Sequence, residues 1–92
     1  MNESAHIHGF SQASLSISAV GTQSDLLLAG DYDVWADTEC YVKVGPTASD
    51  VTTSTGYVIY AGNVVTLSVP VNCRIGAITS AASGTLKYHR VA

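Results

Sequence analysis

Charged side chains are scarce in this sequence. Asp, Glu, Lys and Arg make up 12% of its 92 residues, about half the usual share of roughly a quarter. Only four residues are cationic, and the formal net charge is −3. Nucleic-acid binding usually needs a basic face that releases counterions from phosphate, so we expect no nucleic-acid partner. A surface with so little charge must be covered by uncharged polar residues or partly buried against other chains, which points to an oligomer or an assembly.

Long apolar runs are also missing. No stretch approaches the roughly 20 apolar residues that a membrane-spanning helix needs, so we expect no membrane partner. The N-terminal sequence MNESAHIHGF lacks the basic region followed by an apolar stretch that marks a signal peptide. We therefore expect a soluble protein that is synthesised in the cytoplasm.

Cysteine occurs only twice, at Cys40 and Cys73. No Cys-x-x-Cys pair and no Cys/His spacing of the zinc type is present. Both cysteines lie in strand-like apolar runs, where a free thiol behaves as a small buried hydrophobe. Without an export signal we expect reduced, buried thiols, although the sequence also allows one disulfide.

Apolar residues, by contrast, make up 47% of the chain, and many of them recur with a period of two. That period is typical of a half-buried β-strand, and helical periodicity is almost absent. The alternation predicts that one face of the successive strands carries Leu15, Ile17, Tyr32, Val34, Ala36, Cys40, Val42, Val44, Val65, Leu67 and Val69.

Turn signals separate these strands. GTQSD (residues 21–25) indicates a turn, LLLAG (26–30) a short apolar strand, and GPTASDVTTSTG (45–56) one long polar loop. Gly62 and Asn63 indicate a tight turn. Pro70 marks a strand end or a sheet edge, because proline cannot donate to a ladder.

Together the signals predict an all-β domain of seven or eight short strands at intervals of roughly 8 to 12 residues. The expected architecture is an antiparallel two-sheet sandwich or jelly roll, with a small closed β-barrel as the alternative. We assign residues 13–92 to this domain and residues 1–12 to a flexible or partner-bound N-terminal arm.

Four carboxylates share the same parity along the chain: Asp31, Asp33, Asp37 and Glu39. On continuous strands they would fall on one face, where close carboxylates can bind calcium or act as an acid–base pair. Trp35, Tyr41 and Lys43 would lie on the same face. We therefore interpret it as a solvated strand surface, with a weak cation site as the alternative.

Enzymatic motifs are not evident. His6 and His8 form an HxH pair like that of cupin-type metal sites, but no acidic residue follows before Asp25, and His89 is the only other imidazole. No nucleophile or phosphate-binding motif occurs. We therefore expect no enzyme, no metal and no cofactor, and treat a small metal-dependent enzyme as a remote alternative.

Aromatic residues are the remaining candidates for ligand or partner contact: Trp35, Tyr41, Tyr57, Tyr60 and Tyr88. Trp35 and Tyr41 share the predicted acidic face and could stack on a sugar, with Asp33 or Glu39 as hydrogen-bond partners. Tyr and Trp are also enriched in interface cores, so we favour packing or a subunit interface over this carbohydrate-binding alternative.

The succession AGDYDVWADTECYVKVGPTAS, TGYVIYAGNVVTLSVP, CRIGAIT and SGTLKYHRV resembles small structural proteins of tailed bacteriophages. The resemblance covers roughly residues 24–91 and consists of strand and turn signals. It implies a non-enzymatic virion protein, similar to the β-rich cement or decoration proteins that sit on capsids as dimers or trimers. The implied partners are the major capsid protein and further copies of the chain, and the implied location is the capsid surface, with the tail or neck left open.

Overall fold

The computed structural model describes residues 13–92, and within them it contains eight strands and no helix. The strands in chain order are β1 (Ala13–Ile17), β2 (Thr22–Gln23), β3 (Gly30–Ala36), β4 (Cys40–Gly45), β5 (Tyr57–Ile59), β6 (Val65–Val69), β7 (Arg74–Ile78) and β8 (Gly84–Arg90). Sheet A has the order β1-β8-β3-β6 and sheet B the order β2-β7-β4-β5. The predicted two-sheet all-β architecture is confirmed. The arm predicted for residues 1–12 lies outside the described residues.

The strand order is that of one long hairpin folded over on itself. β1 pairs with β8, β2 with β7, β3 with β6 and β4 with β5, all antiparallel. The further pairings β3–β8 and β4–β7 join these ladders into two sheets. Eight antiparallel strands in this order form a jelly roll, so the chain crosses between the sheets at every connection except the one from β4 to β5.

The core lies between the sheets, where the period-two residues meet. Tyr32, Val34 and Ala36 of β3 are buried, as are Cys40 and Val42 of β4, and the inward faces predicted for these strands are therefore confirmed. The other strands complete the cluster with Ile17, Ile59, Val69, Ile75, Ala77, Leu86 and Tyr88. Each large apolar side chain in such a core stabilises the fold by roughly 1.5–3 kcal/mol.

Two local predictions between residues 21 and 30 are wrong. The predicted turn 21–25 contains β2, because Thr22 and Gln23 pair through their backbones with β7, and a ladder does not depend on apolar side chains. The predicted strand 26–30 forms only a single bridge from Leu27 to Cys73. Leu27 packs on the core, whereas the leucines on either side of it are exposed. The run is therefore an irregular loop, held by Leu27 and by the hydrogen bonds that the Leu28 and Ala29 carbonyls accept from Tyr32 and Arg90.

The long loop that follows β4, residues 46–56, is packed onto the outer face of sheet B. Ala48 is buried, and its N–H donates to the Gln23 side-chain oxygen at 2.9 Å. Lys43, which faces outward from β4, donates to Asp50 at 2.8 Å. Gly76 of β7 lies directly under Ala48, and a Cβ built on it would overlap the Ala48 carbonyl oxygen. The loop is therefore a fixed cap that requires a glycine beneath it.

Candidate functional site

The four acidic residues do not share a face. β3 and β4 belong to different sheets, so outward residues of β3 lie on the outer face of sheet A and those of β4 on the outer face of sheet B. On sheet A, Asp31 accepts a hydrogen bond from Ser68 at 3.0 Å and Asp33 one from Thr66 at 2.8 Å. The prediction of one acidic surface is wrong, because the corner between β3 and β4 turns the chain to the other sheet.

The other two carboxylates have partners of their own. Asp37 accepts a hydrogen bond from the Thr85 N–H at 2.9 Å, and Glu39 accepts one from the Tyr41 hydroxyl at 3.3 Å. Within residues 13–92 no group of three His, Cys, Asp or Glu side chains could hold a metal ion. His6 and His8 lie outside the described residues, and the cupin-type interpretation that depends on them has no further support in the described part.

Trp35 lies on the outer face of sheet A, apart from Tyr41. Its ring packs against the His89 ring in a T-shaped arrangement, with centroids 5.6 Å apart and planes at 79°. A shallow groove of about 340 Å³ beside it is lined by Trp35, Ala36, Asp37, Thr85 and Lys87. Because Tyr41 faces outward from sheet B, the two rings cannot stack on one sugar, and the predicted two-ring platform does not form.

Both cysteines are free and buried. Cys40 begins β4 and Cys73 precedes β7, and the register that pairs Gly45 with Arg74 puts them near opposite ends of sheet B. The two thiols are therefore too far apart to form a disulfide without rearrangement of the sheet. Burial, aided by the nearby Asp37 and Glu39 carboxylates, raises the pKa of Cys40 from 9.0 to about 11.

The raised pKa of Cys40 predicts a loss of stability in alkali. The folded state holds the neutral thiol, whereas the unfolded chain ionises near its ordinary pKa, so the contribution is complete below pH 9 and is lost as pH rises towards 11. Two pKa units correspond to roughly 2–3 kcal/mol of unfolding free energy. Urea unfolding at pH 8, 9, 10 and 11 should register this fall.

Cys40→Val is the matched control, because it keeps an apolar side chain of similar volume and removes the ionisable group. Tyr32 and Tyr88, whose pKa values burial also raises, are common to both proteins. The difference in stability between wild type and variant should therefore change across this pH range. A difference that stays constant from pH 8 to 11 would contradict the assignment to Cys40.

A continuous uncharged segment forms one side of the sandwich. Between Asp50 and Arg74 the sequence VTTSTGYVIYAGNVVTLSVPVNC contains no Asp, Glu, Lys, Arg or His. This segment supplies β5 at the edge of sheet B and β6 at the edge of sheet A. Because β1 lies beside β2, the other two edges share the opposite side. We call the surface formed by residues 57–71 the β5/β6 side.

Large apolar side chains are exposed on this side. Tyr57, Tyr60, Val64 and Val71 are each more than half exposed, and they are four of the seven such side chains in residues 13–92. A tight turn from Tyr60 to Asn63, closed by a 3.0 Å backbone hydrogen bond, carries Gly62 at φ 81°, which confirms the predicted turn. Apolar exposure of this density, without charge, is typical of an interaction surface.

Three of the five aromatic candidates lie on or beside the β5/β6 side, whereas Trp35 lies on the outer face of sheet A and Tyr88 is buried in the core. Tyr57 and Tyr60 belong to it, and Tyr41 pairs with Val58 of β5. Burial, the Glu39 carboxylate and Tyr60 raise the pKa of Tyr41. The charge-free run is readable in the sequence, but its position at two sheet edges follows only from the topology.

The β5/β6 side also lacks the usual protection of a strand edge. Natural proteins shield such edges with charged residues, proline, bulges or a covering segment. β6 reads VTLSV, and its proline comes only after the strand, at position 70. In the part of the chain that the structure describes, residues 65–69 make no backbone hydrogen bond outside the pairing with β3. Among residues 13–92 nothing pairs with the outer edge of β6, which can therefore accept a partner strand.

Comparisons with known proteins give no indication of function, so the β5/β6 side is the main basis for proposing one. No protein-family model, no curated protein and no solved structure matches the chain. Among residues 13–92 there is no helix that is long and apolar enough to cross a membrane.

Proposed function

We propose that this protein is a non-enzymatic bacteriophage virion protein, a capsid cement or decoration protein that stabilises the head by bridging major capsid subunits as a homo-oligomer. The single observation that carries the proposal is the uncharged, apolar β5/β6 side, with the open edge of β6. The assignment to a phage rests on the resemblance of residues 24–91 to small tailed-phage structural proteins.

A low content of charged residues favours a protein that binds to neighbouring subunits. A charge that is buried at an interface without a partner carries a large desolvation penalty, and Lys and Glu are depleted in interface cores for that reason. Tyr57, Tyr60 and Val64 carry no charge, and covering their side chains desolvates no ionic group of residues 51–73. A rigid domain with such a surface is stabilised simply by burying that surface against neighbouring subunits.

Small size favours association as well. A domain of this length buries only some 60–70% of the surface of its unfolded chain, so its own core leaves a modest margin of stability. Any partner that binds the folded state alone adds to that margin by mass action. A cement protein and the lattice that it bridges would therefore stabilise each other.

Co-sedimentation tests the partner. The full chain should pellet with heads of its own phage, and the charged double variant Tyr57→Lys/Tyr60→Lys should bind them at least tenfold more weakly, because two ammonium groups would be desolvated in the contact. Ser14→Lys/Ser16→Lys, at exposed positions of β1, is the matched control and should bind like wild type. Binding to tails or necks instead would move the protein there, and binding to no particle would contradict a virion role.

A carbohydrate-binding module is the second candidate, favoured only by the Trp35 groove. Since Tyr41 lies on the opposite outer face, a sugar would stack on Trp35 and exchange hydrogen bonds with Asp37 and Lys87. The groove is at the small end of the volumes that bind ligands. A screen of mono- and disaccharides by tryptophan fluorescence tests this candidate through the single tryptophan, and an unchanged signal would remove it.

A further inference from the structure

We propose that two copies of this protein associate through the open edges of β6, antiparallel about a twofold axis, so that their A sheets form one continuous eight-stranded sheet. This inference rests on the homo-oligomer part of the proposed function and names the element that joins the copies. Its occupant is a second copy of the chain.

Strand length selects β6 over the edges of sheet B. β6 has five residues, all in register with β3, whereas the sheet B edges β2 and β5 have two and three. A longer edge offers more backbone donors and acceptors to a partner strand. β1, the other edge of sheet A, also has five residues, so the choice between these two depends on what surrounds each strand.

The surroundings favour β6. Val64 precedes the strand and Val71 follows it closely, and both are more than half exposed. Tyr57 and Tyr60 lie on the adjoining edge of sheet B, whose terminal strand β5 is on the same side as β6. A copy that pairs with β6 would therefore cover apolar surface at both ends of the seam as well as the strand edge itself.

The β6 edge is complementary to itself. Its side chains divide into a polar outer pair, Thr66 and Ser68, and a core-facing apolar set, Val65, Leu67 and Val69. A twofold axis near the middle of the strand brings hydroxyl residues opposite hydroxyl residues and apolar residues opposite apolar ones. Cross-strand pairs of both kinds stabilise a sheet, and no like charges face each other on β6.

The nearest carboxylates do not oppose this pairing. Asp31 and Asp33 lie one strand back on β3 and already accept hydrogen bonds from Ser68 and Thr66. Across the seam, equivalent β3 strands are separated by three strand spacings, roughly 14 Å at about 4.8 Å each. That separation exceeds the Debye length of about 8 Å at physiological ionic strength, so repulsion between the copies is largely screened.

Charge inserted into the β6 edge tests the proposal. Wild type should sediment at about twice the monomer mass of 9.6 kDa, with a mass that falls on dilution. Thr66→Lys/Ser68→Lys should raise the dimer dissociation constant at least tenfold, because four ammonium groups would meet at the seam. The same lysines lie beside Asp33 and Asp31 within each copy, so the fold should persist, and 1 M NaCl should restore part of the dimer by screening.

Ser14→Lys/Ser16→Lys again serves as the matched control, since it places the same charges at exposed positions on the other edge of sheet A. It should leave the dimer intact. Amide hydrogen exchange gives an independent readout, in which residues 65–69 become more protected as the protein concentration rises. A monomeric wild type, β6 exchange that does not depend on concentration, or a control that dissociates the dimer equally would each overturn the proposal.

The test of β6 pairing can fail or succeed independently of the test of the proposed function. A monomer that still pellets with phage heads would refute β6 pairing and leave the virion role in place. A β6 dimer that binds no phage particle would support the pairing and refute the virion role.

Discussion

Gly76→Ala should lower the free energy of unfolding by about 3 kcal/mol, near the upper end of the range for an overpacked core. The new methyl group would overlap the carbonyl oxygen and the Cβ of Ala48. A backbone carbonyl cannot rotate away as the end of a long side chain can, so the loop 46–56 must lift from sheet B. The same movement would expose Ala48 and Val51, which are now buried. Urea unfolding measures the loss.

Limited proteolysis shows whether the loop has moved, because a loop released from the sheet is cut sooner. Gly45→Ala is the matched control: it lies at the end of β4, the nearest atom to its added Cβ is 3.8 Å away, and its φ is not in the left-handed region. It should change stability by less than about 0.5 kcal/mol and leave the cleavage rate unaltered. If Gly76→Ala behaved like Gly45→Ala, the loop would not be fixed on Gly76.

Leu86→Ala is the second change with a large expected effect, a loss of roughly 3–4 kcal/mol. Leu86 is fully buried in β8, and its cross-strand neighbours are Leu15 of β1 and Ala36 of β3. Removal of its three outer carbons leaves a cavity between two sheets that cannot close without shifting whole strands. For a domain whose total stability lies in the usual range of about 5–15 kcal/mol, this change should move the urea midpoint strongly.

Leu28→Ala is the control with the same chemistry at a 69% exposed position, and its effect should stay below about 0.5 kcal/mol. Leu86→Met nearly conserves volume and should cost less than about 1.5 kcal/mol. An equal loss from Leu86→Ala and Leu28→Ala would mean that the packing between the sheets does not centre on β8.

The sequence predicts the parts of this fold that depend on side-chain periodicity. In β3 and β4 the alternation correctly places Tyr32, Val34, Ala36, Cys40 and Val42 in the core, and Val44 packs against it partly buried. β2 was missed because its two polar residues are ordered by backbone pairing to β7, a tertiary contact with no local signal. The strand predicted at residues 26–30 did not form, because three successive leucines carry no alternation and only Leu27 reaches the core.

The candidate site, too, could be predicted from the sequence only in part. Tyr41, Tyr57 and Tyr60 could be selected from residue type alone. Their association with an unprotected edge could not, because it requires knowing that β5 and β6 each end a sheet on the same side. The prediction that Trp35 and Tyr41 share a face was wrong because alternation of side chains holds only along a continuous strand. The corner at residues 37–39 takes the chain from one sheet to the other.

The place of β8 in sheet A also constrains when the protein can fold. β8 is the last of the strands in residues 13–92, yet it lies between β1 and β3, and Ala13 pairs with Tyr88 across nearly the whole described sequence. Until residues 84–90 have left the ribosome, β1 has no partner strand and one edge of β3 is open. Contacts of such long sequence separation are slow to form, on the scale of milliseconds to seconds. Sheet A can therefore close only after residues 84–90 are available, and until then the unpaired edges of β1 and β3 are exposed to association with other chains.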